Sequence, residues 1–237
     1  MTPFAMRVRY TGPENGTSYE RGSVVETRLH VENTSVFRFE RRTVGRTRAG
    51  QETAAELYAD GERTYVRIED ERGVRYDSAA VGGASNVPLY IGESRWNLLR
   101  FLATTEANVE QRAGGGVRIR ATGTPRRLEA NVSGYNATAA VRPDGVVESL
   151  SVEYRDEDAG ATVEFVQTVE SVGTATVPEP GWYAGHPDRE SADEPRVPSS
   201  GSVPVGLFLW LKTLIPVYYS AGTRWEYGRY HEADPVS

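Results

Sequence analysis

The sequence predicts a mainly β protein of the α+β kind, one long antiparallel meander with one or two helices laid on it. Three observations carry that prediction. Apolar and polar residues alternate along most of the chain, the period of strands with one buried face. Asp-Gly turns separate such stretches at Asp60-Gly61 and, behind a proline, at Pro143-Asp144-Gly145. The alternation breaks once, where Trp96, Leu99, Leu102 and Ala103 recur at helical spacing.

The first candidate strand is Arg7 to Thr11, followed by the turn-rich Gly12-Pro13-Glu14-Asn15-Gly16. Next, Val25, Thr27, Leu29 and Val31 share one face while Glu26, Arg28 and His30 take the other. Val36 to Thr43 turns Phe37 and Phe39 inward and Arg38, Glu40 and Arg42 outward. Arg46 to Glu56 reads as helix or strand, since its Ala and Glu favour a helix that Thr and Gly interrupt. After the Asp60-Gly61 turn, Val66 and Ile68 face inward and Arg67 and Glu69 outward; Val74-Arg75-Tyr76 extends the same sheet.

The helix spans about Arg95 to Thr104, with Ser94 as N-cap and Leu98 and Phe101 widening its apolar face. That face must lie on the sheet, since neither element can hide its apolar side alone. The meander then resumes with two inward rows, Val117, Ile119 and Ala121, then Leu128, Ala130 and Val132. In the hairpin from Asn136 to Arg155, Leu150, Val152 and Tyr154 alternate with Ser149, Ser151 and Glu153. Ala161, Val163, Phe165 and Val169 follow, and Val-Pro-Glu-Pro-Gly-Trp closes the domain, with the Trp182 indole plugging the end of the sheet.

This reading divides the chain into a domain at 7–182, a Pro/Ser/acidic linker at 183–202 and a tail at 203–237. Within the tail, Val203 to Gly222 is nearly all apolar and approaches the roughly 20 residues of a membrane helix. Pro204, Lys212 and Pro216 interrupt it, so spanning, interfacial anchoring and docking on the domain all stay open.

Composition excludes several functions. A net charge of −6 argues against nucleic acid as partner. The absence of cysteine removes disulfides, thiol catalysis and thiolate metal sites. His30, His186 and His231 stand at no metal-ligand spacing, so no metal and no cofactor are expected. No G-x-S-x-G, P-loop or dinucleotide fingerprint occurs. Gly114-Gly115-Gly116 reads as a flexible turn, and Asp156-Glu157-Asp158 as a solvated hairpin tip rather than a calcium site. No enzymatic activity is expected.

Asn-x-Ser/Thr sequons begin at Asn15, Asn33, Asn131 and Asn136, four of the seven asparagines. Surface glycosylation is what that motif serves, which points to an extracytoplasmic, cell-surface or membrane-associated protein. The amino terminus shows no basic segment followed by an apolar one, so a leader would lie outside these 237 residues. Lys212 is the only lysine among 27 basic residues, a bias that resembles proteins of salt-loving archaea.

Three stretches carry a resemblance: A-A-E-L-Y-A-D-G-E-R-T-Y-V-R-I-E from Ala54, V-R-P-D-G-V-V-E-S-L-S-V-E-Y from Val141, and the closing P-E-P-G-W. They resemble a haloarchaeal family of surface lipoproteins of unknown function, itself similar to the LolA and LppX type of lipoprotein carriers. The likeness covers about Arg7 to Trp182; the family's lipid-bearing cysteine and its amino-terminal helix have no counterpart here. The resemblance implies a strongly curved antiparallel half-barrel, its concave face partly closed by helices over an apolar cavity. The expected function is non-catalytic binding of a lipid or other hydrophobic ligand. Candidate lining residues are Leu29, Phe37, Phe39, Val66, Ile68, Trp96, Leu99, Leu102, Val152, Tyr154, Val163 and Phe165. A structural envelope domain without ligand and a secreted hydrolase are the alternatives.

Overall fold

The computed structural model describes residues 2–12, 24–44, 52–80, 97–128 and 131–190. Eleven strands form one antiparallel sheet: β1 (Phe4–Thr11), β2 (Val24–Val31), β3 (Val36–Val44), β4 (Glu52–Asp60), β5 (Arg63–Asp70), β6 (Gly73–Ala80), β7 (Ala107–Gln111), β8 (Val117–Ala121), β9 (Val132–Val141), β10 (Val147–Asp156) and β11 (Ala161–Val172). A helix, α1, covers 97–102; a 3-10 turn (Tyr183–Gly185) and the short α2 (Pro187–Glu190) follow the last strand. The protein is mainly β, as its alternation predicts.

The sheet is not a single meander in chain order. Its order is β6-β5-β4-β3-β2-β1-β11-β10-β9-β8-β7, so two meanders meet where β1 pairs with β11. Alternation tells which residues form a strand but not which strand lies beside it. The sheet is open, with β6 and β7 as its edges. Three local differences accompany this. β1 starts at Phe4, the ambiguous stretch is strand from Glu52, and β7 is a strand that the pattern did not announce. The glycine triplet is a fixed turn between β7 and β8, all three residues at positive φ. A Cβ on Gly116 would stand 2.3 Å from the Val141 carbonyl oxygen, so only glycine fits there.

Alternation sorts the strands into an apolar face and a charged face. On the charged face Glu56 accepts from Arg38 and Arg67 at 3.3 Å each; Arg38 also meets Glu40 at 2.6 Å and Arg67 meets Glu69 at 2.8 Å. A strap formed by residues 174–188 crosses this face from the centre of the sheet towards β6. The Trp182 indole donates to Glu56 at 2.8 Å, and the Tyr183 hydroxyl donates to Asp60 at 2.8 Å. The Tyr183 ring packs edge-on against Tyr58 and Tyr65. His186 Nε2 meets the Asp77 carbonyl at 3.2 Å and its Nδ1 accepts from the Asp188 amide, so Nε2 carries the proton. The sequence reading ended the domain at Trp182, with the indole at the end of the sheet. Instead the indole lies on the charged face, and Tyr183 and His186 are buried in the domain. Their proline-, glycine- and aspartate-rich surroundings concealed two aromatic anchors.

Two predictions follow from this sorting. Phe165 and Val166 are neighbours on β11, the first wholly buried on the apolar face and the second 40% exposed on the other. Phe165→Ala should cost about 3–5 kcal/mol in denaturant unfolding, and Val166→Thr within about 0.5 kcal/mol. Equal costs would refute the face assignment.

The second prediction concerns Asp60. Burial raises its pKa, but the amides of Arg63 and Glu62 and the Tyr183 hydroxyl donate to it and leave it below the ordinary value. A depressed carboxylate stabilises the fold above its unfolded pKa, and the contribution is lost as pH falls through the folded value. The stability gap between the native chain and Asp60→Ala should therefore hold steady down to about pH 5 and narrow below about pH 4. Tyr183→Phe should remove about 1–2 kcal/mol near neutral pH. A gap independent of pH would mean that the ionised carboxylate is not the clamp.

Candidate functional site

The register of the sheet aligns one row of side chains on the apolar face across all eleven strands. It runs from Arg75 on β6 through Ile68, Ala55 and Arg41 to Thr27 on β2 and Val8 on β1. From there it continues through Gln167 on β11, Leu150, Ala139 and Ile119 to Val109 on β7. Two apolar clusters flank this row. Leu29, Phe37, Phe39, Val66 and Ile68 belong to the first, with Met6 and Leu57. Val152, Tyr154, Val163 and Phe165 belong to the second, with Leu102 packed against it. Nine of the eleven strands, β1 to β5 and β8 to β11, thus contribute side chains to the two apolar clusters.

Helix α1 packs into the second cluster. Phe101 is buried 5.0 Å, centroid to centroid, from Phe165, and Leu98 and Leu102 flank it. The receiving strands carry Ala121, Ala137 and Ala139, whose small side chains leave depth for a helix. Tyr135 donates its hydroxyl to the Phe101 carbonyl, which ties the last turn down. Burial pushes the phenols of Tyr135 and Tyr154 up, so both stay neutral. Leu99, expected among the lining residues, is 44% exposed. At 100° per residue it stands well off the face centred on Leu98, Phe101 and Leu102. Trp96 lies outside the described residues.

Several polar groups are buried with these apolar ones, and the sequence reading passed over them. Gln167 is 1% exposed in the middle of the long row, and Arg41 and Thr43 are buried on β3. Their phase carried the signal: Gln167 falls in step with Phe165 and Val169, Arg41 with Phe39. Asn97 on α1 is buried as well. Phe101 was read as an accessory to the helix and is its main anchor.

Reactive groups do not converge on this face. Among the described residues no group of three or more His, Asp or Glu could hold a metal ion. His30 lies on the charged face, His186 is taken up in the strap, and His231 falls outside the described residues. Asp156 and Asp158 accept from the backbone amides of Ala159 and Asn131, and Glu157 accepts from Ser133, so the acidic triplet caps its own turn. What the arrangement holds is a broad, buried apolar face with a few buried hydrogen-bonding groups.

Of the sequon asparagines, Asn33, Asn131 and Asn136 are exposed, and Asn15 lies outside the described residues. The Asn33 side chain accepts from the amides of Ser35 and Val36 at 2.8 and 2.9 Å and so shapes the β2–β3 turn. Among the described residues no helix is long and apolar enough to cross a membrane. The apolar segment Val203 to Gly222 falls outside them. With this geometry in hand, comparison with known proteins finds no match: no family model, curated protein or solved structure is similar to the chain.

Proposed function

We propose that the chain is a non-catalytic binding protein that holds a lipid or another hydrophobic molecule against the apolar face of its sheet. One observation carries the reading: an apolar face shared by nine of the eleven strands receives a single short helix from the rest of the described chain. Among the described residues every member of the first cluster lies on a strand, and Leu29, Val31, Leu57 and Val66 are almost fully buried. Open sheets beyond roughly ten strands tend to curl. Curling toward the apolar face turns it into the concave wall of a half-barrel, as the resemblance to lipoprotein carriers implies, with α1 closing one part. The half-barrel then keeps a trough for an apolar chain over β1 to β5.

Exposed sequons at Asn33, Asn131 and Asn136 support a location outside the cytoplasm. In this reading the apolar tail is the membrane-facing part. The test is native mass spectrometry of the full chain purified without detergent, followed by solvent extraction. About one extractable hydrophobic molecule per chain is expected. A bare chain that also fails to enhance the fluorescence of N-phenyl-1-naphthylamine would overturn the proposal and leave an envelope domain without ligand.

A further inference from the structure

We infer that Asn97 is the anchor for the ligand's head group, and that the molecule taken up is a long apolar chain ending in a hydroxyl rather than in an ionised acid. This rests on the reading of the apolar face as a binding surface and adds to it a class of ligand.

The motive is an unpaired group. Asn97 is 3% exposed, and its Oδ1 is buried without a hydrogen-bond partner among the described residues. Buried side-chain polar atoms are paired in the large majority of cases, and an exception calls for a reason. The position supplies one. Asn97 stands four residues before Phe101, hence on the same side of α1, the side laid on the sheet. Phe101 meets Phe165 there, and Leu98 and Leu102 pack on the same cluster. A single carboxamide therefore stands, buried and with an unmet acceptor, on the sheet-facing side of the one helix that lies on the apolar face.

The chemistry selects the partner. A carboxamide offers an acceptor and two donors, and a hydroxyl both donates and accepts. A hydroxyl consequently satisfies Asn97 in either orientation of the amide plane. An ester accepts but donates nothing. An ionised carboxylate gives Oδ1 no hydrogen, and buried there it would need a paired cation that Asn97 does not bring. A site built to hydrogen-bond a hydroxyl discriminates strongly against analogues that lack it.

The test uses the full chain and displacement of N-phenyl-1-naphthylamine by 1-hexadecanol, methyl hexadecanoate and hexadecanoate. The native chain should bind the alcohol about tenfold more tightly than the ester or the acid. Asn97→Leu should bring the alcohol down to the ester's level and leave the ester unchanged, and Asn97→Ser, which keeps a hydroxyl, should retain part of the preference. Unfolding midpoints of both variants check that they fold. A merely structural asparagine would alter stability without moving the alcohol-to-ester ratio, and that result overturns the inference. So does a native chain that prefers the acid or the ester, with the binding surface itself intact. If none of the three displaces the probe and the probe does not bind, the binding surface and the anchor fall together.

Discussion

The pairing of β1 with β11 is the constraint on which the rest of the architecture depends. It brings Phe4 opposite Val172 and closes nearly the whole described chain into one loop, with the Gly173 amide donating to the Pro3 carbonyl at 2.7 Å just beyond it. Closing so long a loop is entropically costly, though the cost grows only slowly with length. Once the first and last strands lie at the centre, the two meanders can grow only outward. The free edges are then necessarily β6 and β7, which are consecutive in the chain but at opposite ends of the sheet. Part of the connection between them, α1, lies on the apolar face. The placement of the helix thus follows from the pairing of the termini as much as from its own amphipathicity.

Register is the second consequence. Because side chains alternate with a period of two, a slip of one residue in β3 would exchange Phe37 and Phe39 for Arg38 and Glu40 on the buried face. The ion ladder on the charged face penalises the same slip, since Glu56 would lose Arg38, Arg67 and the Trp182 indole together. Individual surface ion pairs contribute little, but this group is linked and partly covered by the strap. The strap also reaches edge strand β6, where His186 engages the Asp77 carbonyl and Asp188 accepts from Ser78 at 2.7 Å. A covered edge is one less template for pairing with another chain.

Much of this was legible in the sequence wherever the determining interactions are local. The turns at Asp60-Gly61 and Pro143-Asp144-Gly145 carry their conformations in their own residues, and apolar residues alternate with polar ones over much of the strands on either side. Asp60 shows how local the signal is, accepting from the amides two and three residues on at 2.9 Å each. Strand β7 was not legible because Ala107–Gln111 has one large apolar residue, Val109, and an edge position leaves that residue 60% exposed. The neighbour order was hidden for a different reason: pairing over more than 150 residues leaves no trace in any short window. Within the candidate site the large apolar side chains declared themselves by alternation. Gln167, Arg41 and Asn97 did not, because a polar residue at an inward position looks like an error in the pattern until the fold shows that it is buried.

The two halves of the apolar face differ in a way that bears on what the sheet can hold. On β2 to β5 the inward positions carry Leu29, Phe37, Phe39, Leu57, Val66 and Ile68, whose side chains reach one another across neighbouring strands. On β8 and β9 three of them are alanine, Ala121, Ala137 and Ala139, and Phe101 from the helix packs in the same cluster. A Leu in place of Ala137 or Ala139 would compete with Phe101 for that space, while the large residues of the other half leave no comparable bed for a helix. The helix is accordingly keyed to one half by side-chain volume. The boundary between the halves carries Thr27 and Gln167, where an apolar filling would have sufficed for packing alone. Groups that donate and accept thus stand between the helix-filled bed and the bulkier apolar wall.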